Sequence, residues 1–156
     1  LRKLAGSGGE GLEMAGRVVM SREEVQEFLV REFPQIFVHG PIWHVEEVRP
    51  LGARMRMDYH PSQVRPGGTL SGPAMMTLAD LALYVAVLAN VGPVGLAVTT
   101  NLAFNFLRKP EPRDLVCDCR LLKLGRRLAV GDVTIFSDGS DEPVCHATGT
   151  YSIPPR

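Results

Sequence analysis

Neither sign of charge is in excess in this 156-residue chain: Lys+Arg and Asp+Glu both number 17. The basic stripe or surplus that marks nucleic-acid binding is missing, and no nucleic-acid partner is expected. Cysteine is scarce and odd in number: Cys117, Cys119 and Cys145. No CxxC or HxxxH pair occurs, so neither a disulfide framework nor a metal centre is predicted. Cys117 and Cys119 stand two apart in a strand-like run and read as inert core thiols. No secretory signal pattern is present, which predicts a reducing, cytoplasmic setting. A chain of this length is one domain by prior, and buries roughly two thirds of its unfolded surface.

Residues 1–19 carry five glycines and no hydrophobic period, and are expected to be a flexible extension or added sequence ahead of one domain spanning 20–156. Gly6-Ser7-Gly8-Gly9-Glu10-Gly11 matches GxGxxG formally. The dinucleotide motif needs a strand before it and a helix after it, and neither is here. Ser21 followed by Glu24 is a capping box, and the spacing of Val25, Phe28 and Leu29 predicts a short amphipathic helix ending at Pro34. Strands are predicted over 42–49 and 53–59. Further strands over 95–108, 115–124, 127–136 and 143–153 alternate apolar and polar residues between Gly, Pro and Asp breaks. Their short connections favour an antiparallel meander.

Between these strands lies Pro73–Asn90, PAMMTLADLALYVAVLAN, which reads as one helix apolar on nearly every side, with a single charge, Asp80. Ser71 and Gly72 are candidate N-caps, and Pro73 suits a first helical position. The segment is long enough to span a membrane. A charge at mid-span, no Lys or Arg close to either end, and the surrounding strands argue for burial in protein instead, so no membrane partner is expected. A lone carboxylate in such a helix is costly unless paired, hydrogen-bonded or protonated. Thr77 and Tyr84 stand three and four residues away, which leaves two readings open. Either they satisfy Asp80 structurally, or Asp80 is a working acid or base. Gly67, Gly68 and Gly72 let backbone approach a ligand, and the helix N-terminus offers N–H groups to an oxyanion. One sheet covers one side of the rod; a second copy of the chain is expected to cover the rest.

The run RPGGTLSGPAMMTLADLALYVAVL, with VTTNLAFNFLRKP and the closing VCHATGTYSI, resembles the hotdog-fold acyl-CoA thioesterases, and within them the branch named for phenylacetate degradation. The resemblance covers roughly 40–153. It implies an α+β hotdog fold, a long central helix wrapped by a curved antiparallel β-sheet. It implies hydrolysis of an acyl-CoA thioester bearing an apolar aliphatic or aromatic acyl group. No cofactor is implied beyond the coenzyme A of the substrate. By the same resemblance Gly72 supplies the N–H that polarises the thioester carbonyl, and Asp80 is general base or nucleophile. Ser71 stands where relatives carry His, and Arg65 where many carry Asn. Gly68, Thr77, Tyr84 and Thr99 or Thr100 line the substrate site. The family builds that site between two subunits, as a homodimer or a dimer of dimers. Pro73 removes one N–H from the usual pattern. The rival expectations are a non-hydrolytic acyl-CoA or acyl-carrier binding protein, and a hotdog dehydratase or hydratase.

Two strand-end pairs, Arg108-Lys109 and Arg126-Arg127, are either solvated turn charges or contacts for the phosphates of coenzyme A. Ser71 is not in a GxSxG elbow, and no Asp–His relay can be placed around it. His39, His44, His60 and His146 are scattered and read as surface or packing residues.

Overall fold

In the computed structural model, which describes residues 17–155, Ser21 caps the helix α1 (Arg22–Glu32) as its spacing with Glu24 predicts. The Ser21 hydroxyl accepts from the Glu24 N–H at 3.1 Å, and the Glu24 carboxylate accepts from the Ser21 N–H at 3.2 Å. The strands β1 (Trp43–Arg49) and β2 (Gly52–Met57) form a hairpin. The long helix α2 (Gly72–Val91) follows. Then come β3 (Val98–Phe106), β4 (Leu115–Leu124), β5 (Leu128–Ser137) and β6 (Pro143–Ser152). Residues 1–16, most of the expected extension, lie outside the described residues. Val19 is tied down: its N–H donates to the Ala89 carbonyl at 2.7 Å.

All strand pairings are antiparallel, in the order β1-β2-β4-β5-β6-β3. The expected meander therefore holds only for β4 to β6. α2 separates β2 from β3 in sequence, and β3 crosses to the far edge to pair with β6. With β3 displaced, β4 takes the place beside β2.

The sheet curls about α2, which touches all six strands. Every residue from Leu81 to Asn90 is buried. The helix is long and apolar enough to cross a membrane, but here it is the core of the domain. Its C-terminal half does not wait for a second chain. Phe28 and Leu29 of α1, with Phe33, Ile36 and Phe37 beyond it, belong to the same apolar core. Its N-terminal turns are more open, and Met76 is 42% exposed.

Two details fix the helix on the sheet. Gly131 and Gly149 are register partners on β5 and β6. A Cβ at Gly131 would stand 2.7 Å from one Leu83 methyl, and a Cβ at Gly149 2.6 Å from the other. The glycines thus make a notch into which Leu83 drops. At the far end, the buried Asn90 side chain ties the β1–β2 turn to α2. Its Oδ1 accepts from the Leu51 N–H at 2.9 Å, and its Nδ2 donates to the Arg49 and Ala86 carbonyls. Leu51 holds a positive φ of 57°, unfavourable for a branched side chain, and this clamp holds it there.

The sheet has unequal edges. On β1 the Gln26 amide acts as one more strand residue, donating to the Trp43 carbonyl and accepting from the Val45 N–H at 2.7 Å. Among the described residues β3 has no such cover, and Val98, Phe106 and the adjoining Leu96 and Leu107 are exposed.

Asn90→Ala strands the Leu51 N–H and the Arg49 carbonyl, and is expected to destabilise the fold by about 1–3 kcal/mol. Gly149→Ala fills the Leu83 notch, at a cost of about 1–3 kcal/mol. Urea unfolding of both variants measures these losses; a midpoint unchanged in either removes that feature from the account.

Candidate functional site

Asp80 is half-buried on the side of α2 that faces β3 and β6. Its partners are neither Thr77 nor Tyr84. The Thr99 hydroxyl donates to Asp80 Oδ1 at 2.6 Å, and the Tyr151 hydroxyl donates to the same oxygen at 2.7 Å. Tyr151 also lies 3.1 Å from the Asp80 carbonyl. Tyr84 instead donates to the Gly95 carbonyl at 3.1 Å and stacks on Tyr151, with ring centroids 6.1 Å apart. Among the described residues, Asp80 Oδ2 accepts no hydrogen bond. The carboxylate is thus held by one oxygen and free at the other.

A β-bulge makes this arrangement possible. Simple alternation along β3 puts Thr100 on the side of Leu102 and Phe104, and Thr99 on the other. The register instead slips between Thr99 and Asn101, so that Thr99 opposes Tyr151 and Asn101 opposes Thr150. Thr99 therefore joins Leu102 on the inner face. Thr100 is exposed, and its hydroxyl is 3.3 Å from the Thr150 carbonyl. Of the two threonines, Thr99 is the one at the carboxylate.

Around Asp80 lies a pocket of about 330 Å³, lined by Glu32, Phe33, Leu81, Tyr84, Gly95, Ala97, Val98, Thr99 and Tyr151. That is the small end of the range for small-molecule sites, roughly 300–1,000 Å³. Burial, and then the Asp80 charge, push the Tyr151 hydroxyl far above the usual phenol value. Tyr151 therefore remains a hydrogen-bond donor at ordinary pH. Burial and, after it, the Glu32 charge raise Tyr84 as well.

The other expected residues sit elsewhere. Ser71 is the N-cap of α2, its hydroxyl accepting from the Ala74 N–H at 3.1 Å. Gly72 begins the helix over Phe106; a Cβ there would meet that ring at 3.7 Å. Eight residues of helix, about 12 Å, separate Gly72 from Asp80 within one chain. Arg65 and Gly68 lie in an exposed turn, Gly68 donating to the Arg65 carbonyl, with Gly67 and Gly68 at φ 96° and 83°. Thr77 is half-buried and does not line the pocket. Arg126-Arg127 precede β5 at the Val98 end of the sheet, whereas Arg108-Lys109 follow β3 at the other end. The length of β6, about 30 Å, separates the two pairs. Arg108 also pairs with Glu142 at 3.4 Å.

The three cysteines are buried and free, and burial pushes Cys117 up to about 12 and Cys145 to about 11. Such thiols are poor nucleophiles. Among the described residues, no cluster of His, Cys, Asp and Glu is arranged to hold a metal. His44 pairs with Asp58 at 2.8 Å and His60 with Ser62 at 2.7 Å, both outside the pocket.

Residues 67–144 match the sequence profile of the thioesterase superfamily. The chain belongs to that superfamily. This membership puts it among the thioester hydrolases, on the hotdog fold. A structure from Silicibacter sp. TM1040, provisionally named a thioesterase, is 44% identical, with a TM-score of 0.82 over 90% of this chain and 96% of that one. A protein of Saccharolobus solfataricus, provisionally named an esterase, is 28% identical over 86% of this chain and 87% of its own. A variant of a phenylacetic acid degradation protein from Thermus thermophilus shares the fold. It has 23% identity and a TM-score of 0.62 over 72% of this chain and 93% of that one.

Of the pocket residues that sequence reasoning missed, Tyr151 is the one bonded to Asp80. Its signal was present: it falls on the inward side of β6, behind the small residues Ala147 and Gly149, and a buried tyrosine hydroxyl needs a partner. Tyr151 ionises in the unfolded chain near pH 10 but stays neutral when folded. Its raised value supports the fold below that pH and ceases to do so as the pH climbs past it. Tyr151→Phe is expected to flatten the alkaline limb of a pH–stability profile. Equal limbs in the two proteins would place the phenol outside the buried site.

Proposed function

We propose that this protein hydrolyses acyl-CoA thioesters with an apolar acyl group, by carboxylate-assisted attack of water, at a site completed by a second copy of the chain. The observation that carries this reading is the one-sided grip on Asp80. Two hydroxyls hold Oδ1, and Oδ2 is left to take a proton.

In the proposed reaction a water oxygen attacks the thioester carbonyl carbon while Asp80 Oδ2 takes one of its protons. The carbonyl oxygen gains charge and accepts a hydrogen bond from the Gly72 N–H at the positive end of α2. The C–S bond then breaks, and the proton on Asp80 returns to the departing thiolate. The products are a free acid and coenzyme A, with no cofactor consumed. Direct attack by Oδ2 through an anhydride is the variant of the same chemistry.

Gly72 and Asp80 of one chain are too far apart to act on one carbonyl. The open β3 edge supplies the remedy. Antiparallel pairing of two β3 edges about a two-fold axis near Leu102 lays the Phe106 end of one strand beside the Thr99 end of the other. Gly72 of one protomer then approaches Asp80 of its partner. The same operation brings Arg108-Lys109 of one protomer toward Arg126-Arg127 of the other, so four cations divided in one chain converge near one mouth. This supports the reading in which they hold the phosphates of coenzyme A. The shielding of β1 by Gln26 favours β3 as the pairing edge.

Asp80→Asn keeps an acceptor for Thr99 and Tyr151 but removes the base. Hydrolysis of an acyl-CoA panel is expected to fall about a hundredfold or more, with little change in thermal melting. Equal turnover by both proteins rejects the catalytic role, and no turnover by wild type favours a binding protein. Sedimentation equilibrium at micromolar concentration is expected to give twice the 17.0 kDa chain mass or a multiple of it. A monomer at that concentration overturns the shared site.

A further inference from the structure

The wall of the Asp80 pocket contributed by α1 has no role in the reaction described so far. Glu32 and Phe33 form that wall, and both lie outside the stretch matched by the superfamily profile, residues 67–144. Phe33 meets the Tyr84 ring edge-on at 6.3 Å, and Tyr84 stacks on Tyr151, so three aromatic rings run from α1 to the carboxylate. The pocket's lining is otherwise apolar or backbone, apart from Thr99 and the two acids, Asp80 and Glu32. Among the described residues, no Lys or Arg lines it.

Glu32 is placed against local preference. It is the last residue of α1, where the helix dipole disfavours an acid. Its ion pair with Arg31, at 3.0 Å, is between groups that are both half-exposed, and Arg31 lies over the Phe28 ring outside the pocket. An exposed pair of this kind is weak, so it does not hold Arg31 firmly on Glu32. After burial, the Glu32 charge is the second cause that raises the Tyr84 hydroxyl, and Tyr84 also lines the pocket.

We propose that Glu32 is a specificity-determining residue that makes this pocket reject acyl groups ending in a carboxylate. The proposal rests on the acyl-CoA hydrolase reading above. An acyl chain bound with its carbonyl at Asp80 extends along the aromatic wall toward α1. A neutral, apolar end is at home there. A terminal carboxylate beside α1 would meet no Lys or Arg among the described lining residues and would face a like charge, which disfavours it on both counts.

The test compares hexanoyl-CoA with adipoyl-CoA, which differ by a terminal carboxylate on a chain of the same length. The quantity read is the ratio of their kcat/KM values in wild type, Glu32→Gln and Glu27→Gln, at low and high salt. Glu27→Gln makes the same charge change on the exposed face of α1. Wild type is expected to prefer hexanoyl-CoA strongly. Glu32→Gln should shrink that preference about fivefold at low salt and less at high salt, while Glu27→Gln leaves the ratio where it was. A ratio unmoved by Glu32→Gln, or moved equally by Glu27→Gln, overturns the proposal. Equal gain or loss on both substrates also overturns it, because Glu32 would then act on the coenzyme half. If wild type hydrolyses neither ester, the hydrolase reading fails on its own. Calorimetric affinities of the same two esters for the same three proteins then decide the charge filter, with the same expected and overturning ratios.

Discussion

Helix α2 has no polar side to give to water, and most of the architecture follows from that one constraint. A helix apolar all round must be surrounded. A six-stranded sheet, twisted and curled, surrounds most of it, and α1 with the segment after it closes the C-terminal half. Close approach is needed for this to work, because a gap between helix and sheet forfeits dispersion on both surfaces. The Gly131–Gly149 notch meets that need on the concave side, where any Cβ would collide with Leu83. The polar rows of the same strands face the other way. There Arg56 pairs with Glu46, Asp114 and Asp138, and Arg49 pairs with Asp118. Charge is thereby kept on the convex side, and the concave side is left to aliphatic and aromatic residues.

Within this apolar interior Asp80 is the exception, and the manner of its accommodation bears on its use. A structural carboxylate at such a depth would be expected to fill both oxygens, since each hydrogen bond to the charge contributes about 1.5–3 kcal/mol. Here both side-chain donors converge on Oδ1. The grip fixes the rotamer of the carboxylate, and the unshared oxygen retains its lone pairs for a proton. Ser71 shows the opposite arrangement: its hydroxyl is committed to the helix cap, which suits a structural part in forming the N-terminus.

The elements themselves were legible because they are encoded over short distances. The capping box at Ser21, the N-cap at Ser71 and the bounds of β4 at Leu115 and Leu124 all follow from residues within a few positions of one another. What was not legible depends on distant pairing. The move of β3 to the far edge is a choice among partners with equally good alternation, and local pattern does not distinguish them. The bulge after Thr99 is a backbone offset that reverses the facing of two adjacent threonines, so the periodicity that located the strand misassigned its first turn of side chains. Tyr151 reaches Asp80 across 71 positions of sequence. Asp80 stood out in the sequence as a costly carboxylate, whereas its partners required the fold.

The same constraint bears on the proposed second copy. The chain covers the C-terminal half of α2 with its own α1, and leaves the first turns beside Met76, Phe106 and Leu107 open. Those open turns begin at Gly72, whose N–H is left over by the Ser71 cap, and they adjoin the sheet edge that no other described residue protects. A second copy bound there would cover apolar surface, pair a free strand edge and bring the Gly72 N–H to the side of the thioester opposite Asp80 in a single step. Each of these gains is ordinary. Their coincidence at one edge would link assembly to the proposed catalysis: the contact that removes the exposed edge is the contact that would set Gly72 opposite Asp80.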